Sequence, residues 1–233
     1  GFEIKKADKE DAKKKPSIVP ARDDDGAGYV TAAGSHYGQY LNIDGDESKD
    51  NFQLIMKYRG VAMHPEVDAA IEDIVNEAIA GGELDQSVDV SMDNLKVSDS
   101  IKKQIKAEFD NIYAMLDFGL YGHDIFRRWY VDGRLFHHLV VDETNLKGGI
   151  QEIRVIDSAR MRKVKQISRK KDSETGAQLI EKVDEYYIYQ EKPGAQNSGV
   201  KMSLDSVSYV TSGLLDESKK KILSYLHKAL KPI

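Results

Sequence analysis

The sequence predicts an α+β fold in which amphipathic helices pack with an antiparallel β-sheet of hairpins. Three observations carry that prediction. Before Gly133 apolar residues recur at three- and four-residue intervals; beyond it, β-branched and aromatic runs are separated by glycine-bearing turns. The chain has 233 residues, 40% of them apolar, enough to bury a sizeable core.

In chain order, residues 1–20 hold six lysines against four acids, and residues 21–51 hold seven acids against Arg22 and Lys49. With many glycines and no apolar periodicity, residues 1–51 read as a flexible arm, basic and then acidic, ahead of one α+β domain over residues 52–233. From Pro65, the spacing Val67, Ala70, Ile71, Ile74, Val75, Ala78, Ile79 marks an amphipathic helix. Glu66, Asp68, Glu72, Asp73 and Glu77 fill its other face, and Gly81-Gly82 stops it. A second helix starts at Ser98 or Asp99 as N-cap and carries Ile101, Ile105, Phe109, Ile112, Tyr113 and Leu116 on one side, with Gly119 and Gly122 ending it. A third, shorter helix covers Asp124 to Tyr130.

After Gly133 come strands at 135–141, 150–156, 161–167, 179–189 and 207–210, pairing antiparallel, with 172–176 as the loop of a long hairpin and 194–199 as a looser one. A final helix runs from Glu217 to Leu230. No internal repeat is present.

The formal net charge of −5 excludes a general polyanion binder. The absence of cysteine excludes disulfides, thiolate nucleophiles and zinc–thiolate sites. No apolar run approaches the ~20 residues that span a bilayer, and the N-terminus lacks the apolar core of a signal peptide. The first residue is not methionine and the chain ends Lys231-Pro232-Ile233, so both ends read as cut.

The chemical motifs are weak. Asp44-Gly45-Asp46-Glu47-Ser48 lacks the glycine and glutamate that a calcium loop needs at its sixth and twelfth positions; Lys49 and Ile55 stand there. His137 and His138 are strand neighbours and point to opposite faces, one to the core and one to the surface, so they cannot easily share an ion. Catalytic serine, phosphate-loop and dinucleotide motifs are absent. The reading is therefore no enzyme, no cofactor, no metal and no small-molecule substrate.

Two clusters remain. Arg162, Lys163, Lys165 and Arg169 belong to a stretch, 151–172, with eight bases against three acids. It is either an edge-guarding, solvated hairpin face or, as the alternative function, a nucleic-acid-binding module on hairpin 160–171. Arg127, Arg128, Trp129 and Tyr130 combine bidentate donors with large rings, the composition of interface hot spots. Helical neighbours splay by about 100°, so one arginine can meet a carboxylate within the subunit, for instance Asp124 or Asp132, while the other faces outward.

The segment Phe126-Arg127-Arg128-Trp129-Tyr130-Val131-Asp132-Gly133-Arg134-Leu135-Phe136 resembles the portal protein of contractile-tailed bacteriophages of the T-even type. So do Ser212-Gly213-Leu214-Leu215-Asp216 and the run Ile222 to Pro232; Tyr29 to Asp46 and Val67 to Ile79 extend the likeness more loosely. The resemblance implies a wing-like domain, cut before the stem helix, of a portal ring subunit at the capsid vertex of the virion, made in the bacterial host cytoplasm. It implies identical subunits in a dodecamer that serve head assembly, DNA passage and head–tail joining. Its implied partners are major capsid and scaffold proteins, the genomic double-stranded DNA, and the packaging motor (terminase) and neck proteins through regions mostly absent here. Within such a ring the sequence reading pairs acids around Glu72, Asp73 and Glu77, or the acidic arm, with the hairpin around Arg162 to Lys171 of the next subunit.

Overall fold

The computed structural model describes residues 28–31, 46–79, 87–142, 144–145, 148–171, 178–191, 199–217 and 221–230, with backbone alone at 28–31, 46–50, 169–171 and 178–181. The elements in order are β1 (Gly28–Thr31), α1 (Asp46–Val61), α2 (Pro65–Ile79), α3 (Asp99–Met115), α4 (Phe118–Asp132), β2 (Arg134–Val141), β3 (Ile150–Ile156), β4 (Met161–Lys171), β5 (Gln178–Tyr189), β6 (Val200–Met202) and β7 (Val207–Thr211). Single 3₁₀ turns occupy Ser158–Arg160 and Leu204–Ser206, and a longer one Tyr225–Leu230.

The strands form a four-stranded sheet, β1-β4-β5-β6, and a three-stranded sheet, β3-β2-β7. All neighbours are antiparallel except β1, which pairs parallel with β4 at Gly28↔Val164 to Thr31↔Ile167. This is the α+β class.

The period change at Gly133 is a physical corner. Gly133 caps α4 in the left-handed region (φ 71°), and a Cβ there would stand 2.6 Å from the Leu223 carbonyl oxygen. Only glycine fits both the backbone angle and the close approach.

One core lies among the helices, where Tyr58, Ala62, Ile71, Val75 and Val131 pack with Leu226. A second joins the two sheets through Phe136, Met161, Tyr187 and Val207. There the Phe136 ring stacks on Tyr209 at 4.5 Å and meets Tyr187 edge-on at 6.0 Å, geometries that favour aromatic pairs. A third, smaller cluster of Val164, Tyr186 and Ile188 lies on β4 and β5.

The structure corrects the sequence reading at several elements. Gly119 and Gly122 do not end a helix; they lie inside α4. The break falls at Leu116–Asp117, where Asp117 takes a left-handed conformation (φ 44°). Gly122 is instead a packing glycine, since a Cβ would come within 2.8 Å of the Phe118 ring. The continuous helix expected from Glu217 to Leu230 is not formed: residues 221–224 are non-helical, Ile222 bridges to Leu215, and only Tyr225–Leu230 coils. β6 and α1 have no counterpart in the elements the sequence pattern marks. α1 crosses the 51/52 boundary, and β1 falls within residues 1–51. The rest of that arm, 1–27 and 32–45, lies outside the described residues, as do the hairpin loop 172–177 and most of the looser turn, 192–198.

Candidate subunit interface

The aromatic–arginine stretch sits on the last two turns of α4, and its two arginines divide as helical splay requires. Arg127 turns inward against α2, donating to Glu72 at 2.9 Å and to Asp68. His123, four residues back on the same face, reaches the second Glu72 oxygen at 3.0 Å. Arg128 faces solvent, half exposed, and pairs with Asp124 at 2.8 Å along its own helix. The inward arginine thus meets acids 55 and 59 residues away, not Asp124 or Asp132.

Asp132 belongs to a different clamp. Its carboxylate, almost fully buried, accepts two bonds from Arg59 of α1 at 3.0 and 2.7 Å; the same guanidinium donates to Asp157 at 2.6 Å. Asp157 also caps the turn that starts β4, accepting from the Ala159 N–H at 3.0 Å. Burial pushes the Asp157 carboxyl up, but the bonds from Arg59 and Ala159 outweigh it and the net direction is down. The Asp132 hydrogen bond, chiefly, drives Arg59 above its usual range. One cation therefore ties the helical layer to the base of the sheets. No sequence spacing announces this triad, because Arg128, four residues before Asp132 on the same helix, offers a nearer partner on paper and pairs with Asp124 instead.

Trp129 and Tyr130 anchor the C-terminal segment. Tyr130 stacks on Tyr225 at 4.9 Å with rings 8° from parallel, and Trp129 contacts Tyr225 at 5.3 Å and Phe126 at 5.4 Å. Ser224 donates to the Tyr130 carbonyl at 3.1 Å, the buried Arg134 to the Ile222 carbonyl at 2.7 Å, and the Tyr58 hydroxyl meets His227 Nδ1 at 2.8 Å. Beside these rings opens an apolar groove of about 130 Å³, lined by Phe118, Ile125, Phe126, Trp129, Leu135 and Val210.

The second cluster is separate from the first. Lys163 and Lys165 are nearly buried on β4 and share Glu185 of β5, at 3.0 and 3.8 Å. Arg162 is half-buried on the other face at the register of Ile188, and the Arg169 backbone pairs with Ile180 while its side chain lies outside the described residues. Two lysines already satisfied by a carboxylate do not make an open phosphate-binding row, and the nucleic-acid-binding alternative finds no support. Likewise Glu72, one of the acids expected to reach the next subunit, is held within its own chain. His137 is buried and burial lowers its pKa; His138 is half-buried. Among the described residues no cluster of histidines and carboxylates could hold a metal ion, and no helix is long and apolar enough to cross a membrane.

Comparison with known proteins returns one theme. The family model for bacteriophage T4-like portal protein (Gp20) matches residues 51–233. The portal protein of Vibrio phage KVP40 is 32% identical over 192 residues, covering 77% of this chain and 37% of the relative. That of Salmonella phage ViI is 31% identical over 176 residues, covering 75% and 31%. The chain thus spans about a third of the length of these curated relatives.

Proposed function

Since the chain belongs to the T4-like portal protein family, we propose that it serves as a structural subunit of the portal ring at the capsid vertex of the virion, contributing the wing-like body. Identical subunits assemble side by side in this reading, twelve by family resemblance. The ring supports head assembly with the major capsid and scaffold proteins, passes the double-stranded genome, and joins the tail. Contacts to the packaging motor and neck proteins fall to parts of the portal beyond this chain's span. Its work is mechanical, and synthesis takes place in the host cytoplasm.

The observation that carries this reading is the family match over 51–233, which covers every described element from the body of α1 onward. The physical design agrees with it. A ring closes only if each subunit holds its two lateral faces at a fixed angle; here Arg59 ties α1 to the end of α4 and the base of the sheets, while Arg127 and the Tyr225 stack tie α4 to α2 and to the C-terminal turn. The exposed Arg128, with Trp129 beside it, is available for a lateral contact.

Negative-stain electron microscopy of the purified protein, with analytical ultracentrifugation across a concentration series, tests the reading. Closed rings of uniform diameter support it; a species that stays monomeric at every concentration contradicts it.

A further inference from the structure

The groove beside Trp129 is open and purely apolar, of a size to take one long side chain. An unfilled apolar hollow on a surface is a recognition feature when something complementary exists to fill it. The chain supplies a candidate. Met63, on the turn between α1 and α2, is 83% exposed, more than any other large apolar side chain described. Methionine is unbranched and adaptable, well suited to seat in a shallow apolar hole.

The two features cannot meet within one molecule. At about 100° per residue, Phe118, Ile125 and Trp129 fall within roughly 40° of one another on α4. His123 and Arg127, which bind α2, lie about 140° to 180° round from Phe118 by the same spacing. The groove therefore opens on the side of α4 away from the helix that follows Met63. The charges beside them are also complementary. Glu66, exposed one turn beyond Met63, has no ion pair in the described structure, whereas Arg128, the helical neighbour of Trp129, is half exposed and pairs with Asp124 through Nη2 alone.

We infer that Met63 of one copy docks into the Phe118–Ile125–Trp129–Val210 groove of the next, with Glu66 approaching Arg128 of that neighbour. A knob and a hole on opposite sides of one helix make a head-to-tail contact, the kind that propagates from copy to copy and closes only at the right rotation. The inference rests on the ring reading and adds to it the faces that touch.

The chain has no cysteine, so site-directed pairs can be read without background. Met63→Cys and Val210→Cys are made singly and together, and assembled protein is treated with a short bis-maleimide. Each single variant should stay uncross-linked, their mixture should give covalent dimers, and the double variant a ladder of higher multimers. A product that stops at dimer in the double variant overturns the head-to-tail contact. No cross-link in protein that still forms rings overturns the docking and leaves the ring reading standing. No oligomer of any kind removes both. As a second measure, Met63→Lys should weaken self-association about tenfold, by the cost of placing an ammonium in an apolar hole, while Met63→Leu and the circular dichroism of both variants stay as in the parent. Unaltered association of Met63→Lys would also overturn the docking.

Discussion

Helices α2 and α3 are alike in length and both amphipathic, yet they end in opposite circumstances. α2 buries Ile71 to 1% and Val75 to 0% exposure, whereas α3 buries no residue at all, leaving Ile101 and Ile112 nearly half exposed. α2 is held against α4 by Arg127 and His123. α3 meets α4 mainly through the Tyr113–Phe118 ring contact at 5.5 Å, and its Lys106 reaches out to Asp89. An amphipathic pattern announces that a helix has an apolar side. It does not say whether the cover for that side belongs to the same chain. Among the described residues, α2 finds that cover in Tyr58, Ala62 and Val131, whereas α3 finds none that buries it.

Matched truncations sharpen the contrast most. Ile71→Ala should lower unfolding free energy by about 3 kcal/mol, the transfer loss plus a cavity in a closed core, whereas Ile112→Ala should cost under about 1 kcal/mol in the monomer. Urea denaturation reads both, and equal losses would erase the distinction.

Next comes the Arg59 clamp. Asp132→Ala leaves a guanidinium with one partner instead of two. The loss should be about 2 kcal/mol, below the range for a fully buried broken pair, because Arg59 is 35% exposed. A change below half of that in the same denaturation experiment would show that Asp157 alone suffices.

The smallest effect concerns pH and the sheets. Burial lowers the His137 pKa from its ordinary value near 6.5, so the unfolded chain takes up a proton before the folded one does. Stability from this site is complete above about pH 6.5 and declines as pH falls toward the lower, folded value. His137→Leu should flatten the fall in stability below about pH 6.5; an unchanged slope would place the titration elsewhere.

Much of this architecture is legible in the sequence because local rules and tertiary demands coincide. The i, i+3, i+4 spacing of α2, the strand runs on either side of 150–156 and the Gly133 corner all agree with what packing selects. α1 escapes because its apolar residues are few and the acids Asp46, Glu47 and Asp50 dominate its first turns; it is a helix largely because Ile55 and Tyr58 have a core to enter. Gly119 and Gly122 mislead because glycine marks helix ends by its backbone freedom, while here Gly122 serves the close approach of Phe118. The C-terminal helical pattern fails at Ile222–Ser224, where tertiary bonds to Arg134, Ser212 and Tyr130 outbid helix propensity. The sites are less legible than the fold. That one of Arg127 and Arg128 turns inward follows from helical geometry, but its acids lie on another helix, and the Arg59–Asp132–Asp157 triad joins residues 73 and 98 positions apart. Periodicity carries no information on such pairings.

Hydrogen–deuterium exchange, compared between dilute monomer and assembled protein, reads out which faces of the molecule close on assembly. The Met63 turn and the α4 residues around the groove should gain protection on assembly, while the α4 turn bearing Arg127 and the β2 strand, closed within the chain, should exchange alike in both states. Equal protection of the turn and groove in monomer and assembly would contradict that closure.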